Sequence, residues 1–190
     1  MPPKQRFSRQ QIVDAAFYIA EHEGIDQITM RKVAKQLKSS VAPIYVNFTD
    51  IEQLKQAVFA EIVVTSQRLL NERKTNQPFR DIGIASLNFA QRYPLLFNDF
   101  VLKQNNYLSS FDQNMWPTLI NQMKTDPALV SLSEEALAHL LMNMRIFQLG
   151  LSIMTANQLL PQEWDDKQTT DRLDEAASAF IKALDTNKGK

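Results

Sequence analysis

Apolar residues recur three and four positions apart along almost the whole chain, the spacing that gathers side chains on one face of an α-helix. Ile12, Ala15, Ala16, Ile19 and Ala20 form the first such stripe. Ser8 with Gln11 has the spacing of a capping box before it, and Gly24 is a stop after it. The stripes then shorten. Thr29 is placed to cap a helix with Val33, Ala34 and Leu37 on its inner face, and Lys38-Ser39-Ser40 breaks the run. Ser39 or Ser40 can accept from the free amides of the next helix, which turns Ile44 and Phe48 inward at i, i+4. Ile12, Ala16 and Ile19, then Val33 and Leu37, then Ile44 and Phe48 can share one small core.

The outward side of that third helix, Ser40 to Asn47, has no apolar stripe and almost no charge. A helix so short buries little and is held by its neighbours, leaving this side free to meet another surface. In a helix-turn-helix unit that surface is the DNA major groove.

Beyond Phe48 the segments lengthen. Thr49/Glu52 and Asp50/Gln53 both have capping-box spacing and predict a long helix from Asp50 to about Asn76, with Leu54, Val58, Ile62 and Leu69 inward. Pro78 opens a helix carrying Ile82, Ala85 and Phe89, and Pro94 opens one carrying Leu96, Phe97, Phe100 and Val101. Asn105-Asn106 and Ser109-Ser110 predict a loop. Phe111 to Lys124 reads as a helix kinked or broken at Pro117, and Asp126-Pro127 as a cap with a first-turn proline. Ser133 starts the longest apolar helix, to about Leu160. Thr169 or Thr170 caps a last one with Leu173, Ala177, Phe180 and Leu184 on one face. Alternating Val, Ile and Thr are nearly absent. The expected fold is therefore all-α: a helix-turn-helix domain of three helices over residues 1–50, joined by a long helix to an all-helical domain over 51–190.

The segment from Ala136 to Leu160 is apolar on more than one side, with Leu137, Leu141, Met144 and Leu151 on one face and Ile146, Leu149, Ile153 and Leu160 on another. Such a helix is buried nearly all round. Either it is a central core helix, or a second copy of the chain covers one side, through this segment and the Thr170–Leu184 helix.

Composition narrows the possibilities. Of 190 residues 44% are hydrophobic, enough for a sizeable core, and the absence of Cys excludes disulfides and thiolate metal sites. The polar start Met1-Pro-Pro-Lys-Gln-Arg has no signal-peptide core, and Ile146 to Gln162 is interrupted by Gln148, Ser152, Thr155 and Asn157, so no membrane span is expected. A cytoplasmic protein without membrane association is the expectation. The net charge of +0 divides unevenly: residues 1–49 hold seven Lys/Arg against four acids, a net +3, which leaves −3 for the remainder. Local field, more than total charge, governs phosphate binding. His22 and His139 have no acid at ligand spacing, and no nucleophile-elbow or P-loop pattern occurs. Neither an enzyme, nor a metal, nor a cofactor is indicated.

The string Thr29-Met-Arg-Lys-Val-Ala, then Ile44-Tyr45-x-x-Phe48, then Asp50-x-x-x-Leu54 resembles the N-terminal domain of the TetR/AcrR family of bacterial transcriptional repressors, over roughly residues 8 to 60. Beyond that the likeness is one of architecture. Three residues depart from the family pattern: Lys38 stands where Gly is usual in the turn, Ile51 where a phosphate-binding Lys is common, and Asn47 where His is frequent. The resemblance implies a homodimeric repressor that binds a palindromic double-stranded operator and is released by a small apolar or amphipathic effector. The alternatives are a regulator of the same fold controlled by a protein partner or by no small molecule, and an all-helical enzyme whose helix-turn-helix is incidental.

Under that resemblance the DNA-binding residues are Lys4, Arg6, Thr29, Arg31, Lys38, Ser39, Ser40, Val41, Ala42, Pro43, Tyr45 and Asn47. Arg31 is either a solvated arginine or a bidentate contact to a guanine edge or a phosphate, and the resemblance favours contact. Tyr45 would fix register on a phosphate, while Val41, Ala42 and Pro43 can offer only apolar contact, which suits thymine methyls. For the effector, Phe89, Phe97, Phe100, Met115, Trp116, Met144, Arg145 and Phe147 are the candidates, adaptable Met beside rigid aromatics. Arg145, in a mostly apolar helix, is costly to bury unpaired. A salt bridge within the domain, one across a dimer, and an anionic ligand group all remain open for it.

Overall fold

Capping chemistry decides where the helices begin. A computed structural model describes residues 7–73, 75–101, 103 and 106–187, those of 106–114 and 185–187 by backbone alone. Helix α1 spans Arg9–Glu23, opened by the expected capping box: Ser8 Oγ accepts from the Gln11 N–H at 3.2 Å and Gln11 Oε1 from the Ser8 N–H at 2.9 Å. Gly24, at φ +94°, ends it and leads into a 3₁₀ turn, Ile25–Gln27. Helix α2 covers Met30–Gln36 and is capped by Thr29, whose Oγ1 accepts from the Lys32 N–H at 3.1 Å. Helices α3, Ala42–Asn47, and α4, Ile51–Glu72, follow. Asp50 caps α4 by accepting from the Gln53 N–H at 2.8 Å, and Gln53 reaches back to the Thr49 N–H at 2.8 Å.

Helices α5, Pro78–Arg92, and α6, Pro94–Val101, each open on the expected proline. Then come α7, Asn106–Met123, α8, Glu134–Ala156, capped by Ser133, and α9, Asp166–Asn187. No strand occurs among the described residues, and the all-α expectation holds.

Several boundaries differ from the sequence reading. Helix α4 ends at Glu72 instead of near Asn76, and α8 ends at Ala156 instead of near Leu160. Asn157 Nδ2 donates to the Ile153 carbonyl at 2.9 Å, and Gln158, at φ +56°, turns the chain out of α8. Ser109 and Ser110 lie inside α7, which also runs on through Pro117. Asp126 does not cap a helix of its own. It is buried, with its carboxylate accepting from the Ala128 N–H and from the Phe79 N–H, both at 3.0 Å, so it satisfies a free donor in the first turn of α5. Asp165, not Thr169 or Thr170, caps α9: it exchanges two 2.8 Å bonds with Gln168 in a capping box, while the two threonines donate to the carbonyls of Asp165 and Asp166, one turn back. The pair Asp165-Asp166 thus opens α9.

The described residues fall into two packing units. The first takes in residues up to 65 and those of 93–104, and the second takes in 66–92 and those beyond 105. Helix α4 contributes to both. In the first unit the expected core of Ile12, Ala16, Ile19, Val33, Ile44 and Phe48 is buried. Leu37 is only half-buried, and Met30 takes part instead. Helix α6 completes this unit against α1, with Phe100 beside Phe59 (ring centroids 6.0 Å apart) and Tyr93 edge-on to Phe17.

In the second unit Leu137, Leu140, Leu141, Met144 and Leu151 of α8 form the middle of a core with α5, α7 and α9. Gly83 lets α5 approach α9, since a Cβ there would lie 2.8 Å from a Leu173 methyl. Arg80 and Asp174 tie the same two helices by a two-pronged ion pair at 2.8 and 2.9 Å. Helix α8 has the length and apolarity to cross a membrane, but its Leu face is buried in this core. Its opposite side is exposed: Ile146 is 65% accessible, Met142 and Met154 are exposed as well, and Gly150 faces open space.

Candidate nucleic-acid interface

The turn between α2 and α3 is closed by backbone alone. The Lys38 N–H donates to the Lys35 carbonyl at 3.0 Å and the Ser39 N–H to the Ala34 carbonyl at 2.9 Å, the paired bonds of a Schellman motif. Lys38 is its left-handed residue, at φ +52°. A side chain there costs about 1–2 kcal/mol. Lys38→Gly should therefore stabilise the protein by about 0.5–1 kcal/mol, after allowing for the extra freedom glycine gives the unfolded chain. If Lys38 meets a phosphate, as the resemblance implies, the same substitution should weaken DNA binding equally on all sequences and lower the salt slope by about one. Denaturant titration and salt-dependent binding would measure the two opposed effects.

Neither Ser39 nor Ser40 caps α3. Val41 holds the N-cap position without a side-chain bond, and Ser39 Oγ donates to the Ser40 carbonyl at 2.8 Å. Pro43 sits in the first turn, where its missing N–H has no helical partner to lose. Ile44 and Phe48 anchor the helix, and Arg9 lies 4.7 Å over the Phe48 ring. Tyr45 and Val46 point outward, 55% and 84% exposed, and Ser40 and Ala42 are exposed with them, while Ser39, Val41 and Pro43 are half-buried. Asn47 turns inward: its amide donates to the Pro43 carbonyl at 3.0 Å and reaches the Phe7 carbonyl at 3.5 Å.

On α2, Arg31 is exposed and makes no ion pair with a described residue. Lys35, four residues on and so on the same face, is equally exposed and unpaired, and belongs with it. That i, i+4 spacing from Arg31 was the signal in the sequence. Lys32 is occupied, its Nζ 2.7 Å from both Glu23 and Gln27. Thr29 is exposed, with Oγ1 already accepting from α2. Lys4 and Arg6 lie outside the described residues.

Asp99 on α6 had no counterpart in the sequence reading. It is buried, its Oδ2 accepting from the Ile25 N–H at 2.6 Å and its Oδ1 2.6 Å from Lys103 Nζ. Lys103 also meets Asp26 at 2.5 Å. The hydrogen bonds to Asp26 and Asp99 hold the Lys103 ammonium above its usual range, and Lys103 holds the Asp26 carboxyl below its own. The junction between α1 and α2, from which Thr29 and Arg31 project, is thereby clamped by a segment distant in sequence.

The effector candidates divide between the units. Phe97 and Phe100 are buried in the packing of the first. Phe89, Met115, Trp116, Met144, Arg145 and Phe147 fall in the second. There the Arg145 guanidinium lies 5.7 Å over the Trp116 ring, Met115 Sδ accepts from Gln67 Nε2 at 3.4 Å, and Trp116 and Phe147 border the core containing Met144. A polar cavity of about 510 Å³ in this unit is lined by Leu69, Glu72, Arg73, Asn88, Gln91 and Arg92, a different set. Among the described residues no three His, Cys, Asp or Glu side chains gather as a metal site requires.

No protein-family model matches the chain. Over 55 residues it is 36% identical to the HTH-type nicotine-responsive transcriptional repressor HdnoR of Paenarthrobacter nicotinovorans, a match spanning 29% of this chain and 28% of that repressor. Over 173 residues it is 21% identical to the HTH-type transcriptional regulator YobS of Bacillus subtilis strain 168, covering 87% of both. A TetR-family transcriptional regulator from Rhodococcus sp. superposes with a TM-score of 0.64 at 16% identity, covering 91% of this chain and 98% of its own. One from Vibrio parahaemolyticus superposes with 0.61 at 20% identity, covering 92% and 97%. RolR in complex with resorcinol superposes with 0.53 at 12% identity, covering 92% and 86%. Capped helices, a Schellman turn and an outward-facing α3 thus belong to a chain with the fold of the TetR-family transcriptional regulators, as the N-terminal residues lead one to expect.

Proposed function

We propose that the protein is a homodimeric, cytoplasmic transcriptional repressor that reads a palindromic operator through α2 and α3 and is released by a small apolar or amphipathic effector held in the second unit. One observation carries the DNA-binding part: α3 presents Tyr45 and Val46 to solvent, and in the same unit Arg31 and Lys35 of α2 are exposed and unpaired. Side chains with no partner in the protein are free for phosphates and base edges. The exposed side of α8 supports the dimer. The names of two similar proteins, one nicotine-responsive and one bound to resorcinol, support an effector. Control by a protein partner remains the second reading, and failure of every small molecule to release DNA would favour it.

Selection from random duplexes tests the reading. The enriched sequence should be an inverted repeat with half-sites about one helical turn, roughly 34–36 Å, or somewhat more apart, each with one preferred guanine flanked by thymines. On that duplex Arg31→Ala should cost about 1–3 kcal/mol and relax selectivity at the guanine alone. Enrichment of no sequence would defeat the proposal. A loss spread evenly over all sequences would reassign Arg31 to phosphate.

A further inference from the structure

The inward side of α8 changes character halfway along. Residues three, four and seven apart share one face of a helix. Leu137, Leu141 and Met144 occupy this face in the first half, all buried; in the second Leu151 is still buried on it, but Gln148, Ser152 and Thr155 now share it. Thr155 satisfies itself, Oγ1 donating to the Leu151 carbonyl at 2.9 Å. Ser152 does not: it is fully buried, and its Oγ has no hydrogen-bond partner. The half-buried Gln148, one turn earlier, makes no side-chain hydrogen bond among the described residues. A buried hydroxyl left unmatched lowers stability, and Ala would fill the same space without that penalty. The apolar first half of the helix shows what a purely structural face looks like here.

Two links orient this edge of α8. Lys124 Nζ lies 2.7 Å from Glu134, joining the end of α7 to the start of α8, and Arg145 lies over Trp116. Helices α7 and α8 are thus antiparallel, with Arg145, seven residues before Ser152, on Ser152's edge. At 1.5 Å per residue it sits about 10 Å away along the axis, beyond reach of a charge at Ser152. Phe147, next to Gln148 in sequence, and Met144, one turn before it, supply aromatic and adaptable apolar surface on the same stretch of helix.

We propose that Ser152 and Gln148 form the polar end of the effector site, and that the effector is an uncharged aromatic compound carrying a hydroxyl or carbonyl group. The inference rests on the effector reading above. A hydroxyl and a primary amide offer donors and acceptors but no countercharge, so an ion buried against them would be strongly disfavoured.

The test titrates the full chain with phenol, toluene, benzoate and benzylamine, reading melting temperature and calorimetric affinity. Phenol should bind more tightly than toluene by about two- to tenfold, the worth of one hydrogen bond, and more tightly than either ion. Ser152→Ala should abolish the preference for phenol over toluene while leaving the ligand-free melting temperature at or above that of the wild type. Gln148→Leu should reduce the same preference. Equal binding of phenol and toluene, a preference that survives Ser152→Ala, or a lowered ligand-free melting temperature in that variant would each overturn the inference. Preference for benzoate or benzylamine would overturn it and leave the effector reading standing. Failure of all four to bind would overturn the inference, and the effector reading would then rest on the wider test of DNA release.

Discussion

Ile146→Glu is expected to convert the proposed dimer into a monomer at micromolar concentration without unfolding it. Ile146 is 65% exposed in the single chain, so a carboxylate there stays solvated and folding stability should shift by no more than about 0.5 kcal/mol. In an isologous dimer every substitution enters the interface twice. Burying two like charges with no partner costs several kcal/mol, and about 3–5 kcal/mol corresponds to a dimer weaker by some hundredfold to several thousandfold. Affinity for a two-half-site duplex should fall with it, since the second half-site is then no longer bound intramolecularly. Val130→Glu is the control: Val130 is 68% exposed but lies between α7 and α8, and both properties should be unchanged there. Sedimentation showing Ile146→Glu as dimeric as the wild type would place the contact between copies elsewhere.

Asp99→Ala should lower the stability of the first unit by about 2–3 kcal/mol. It leaves the Ile25 N–H buried without an acceptor, worth about 1–3 kcal/mol, and takes from Lys103 the more deeply buried of its two carboxylates. Asp99→Asn keeps an oxygen for Ile25 and should restore most of the loss. Hydrogen exchange should show faster opening of the Ile25 amide in the Ala variant alone. DNA binding should weaken on all sequences, since the start of α2 shifts as a body. If Asn proves as harmful as Ala, the charge pairing with Lys103 matters more than the acceptor.

The helix inventory was legible because it rests on local signals. The Ser8 box, the Thr29 cap, the Gly24 stop and the opening prolines each act within four residues of themselves. Errors arose where two local signals compete. Asp165 and Thr169 both offer caps to α9, and the earlier one prevails because its Gln168 completes a box. Ser109-Ser110 is chemically a turn sequence, but α7 extends through it, since propensity is only a weak guide to where a helix stops. Asp126-Pro127 carries a true cap signal whose beneficiary is α5, 47 residues away in sequence. Within the candidate interface, the exposure of Ser40, Ala42, Tyr45 and Val46 followed from periodicity, but the half-burial of Val41 and Pro43 did not. That Asn47 turns its amide onto its own helix did not, because such back-bonding depends on a rotamer. Asp99 was illegible for a stronger reason: its partner, the Ile25 N–H, is a main-chain group with no identity in the sequence.

That the first unit is discontinuous bears on how the protein emerges from the ribosome. Domains tend to form as they are synthesised, N-terminus first. Here the helix-turn-helix segment is made early, yet α6, with Asp99 and Phe100, follows only after residues 66–92. Until then Ile25 lacks its acceptor and Phe59 its ring partner. The nascent N-terminal helices therefore lack the Asp99 and Phe100 contacts through the making of α5, and the first unit is complete only when a later part of the chain packs onto them.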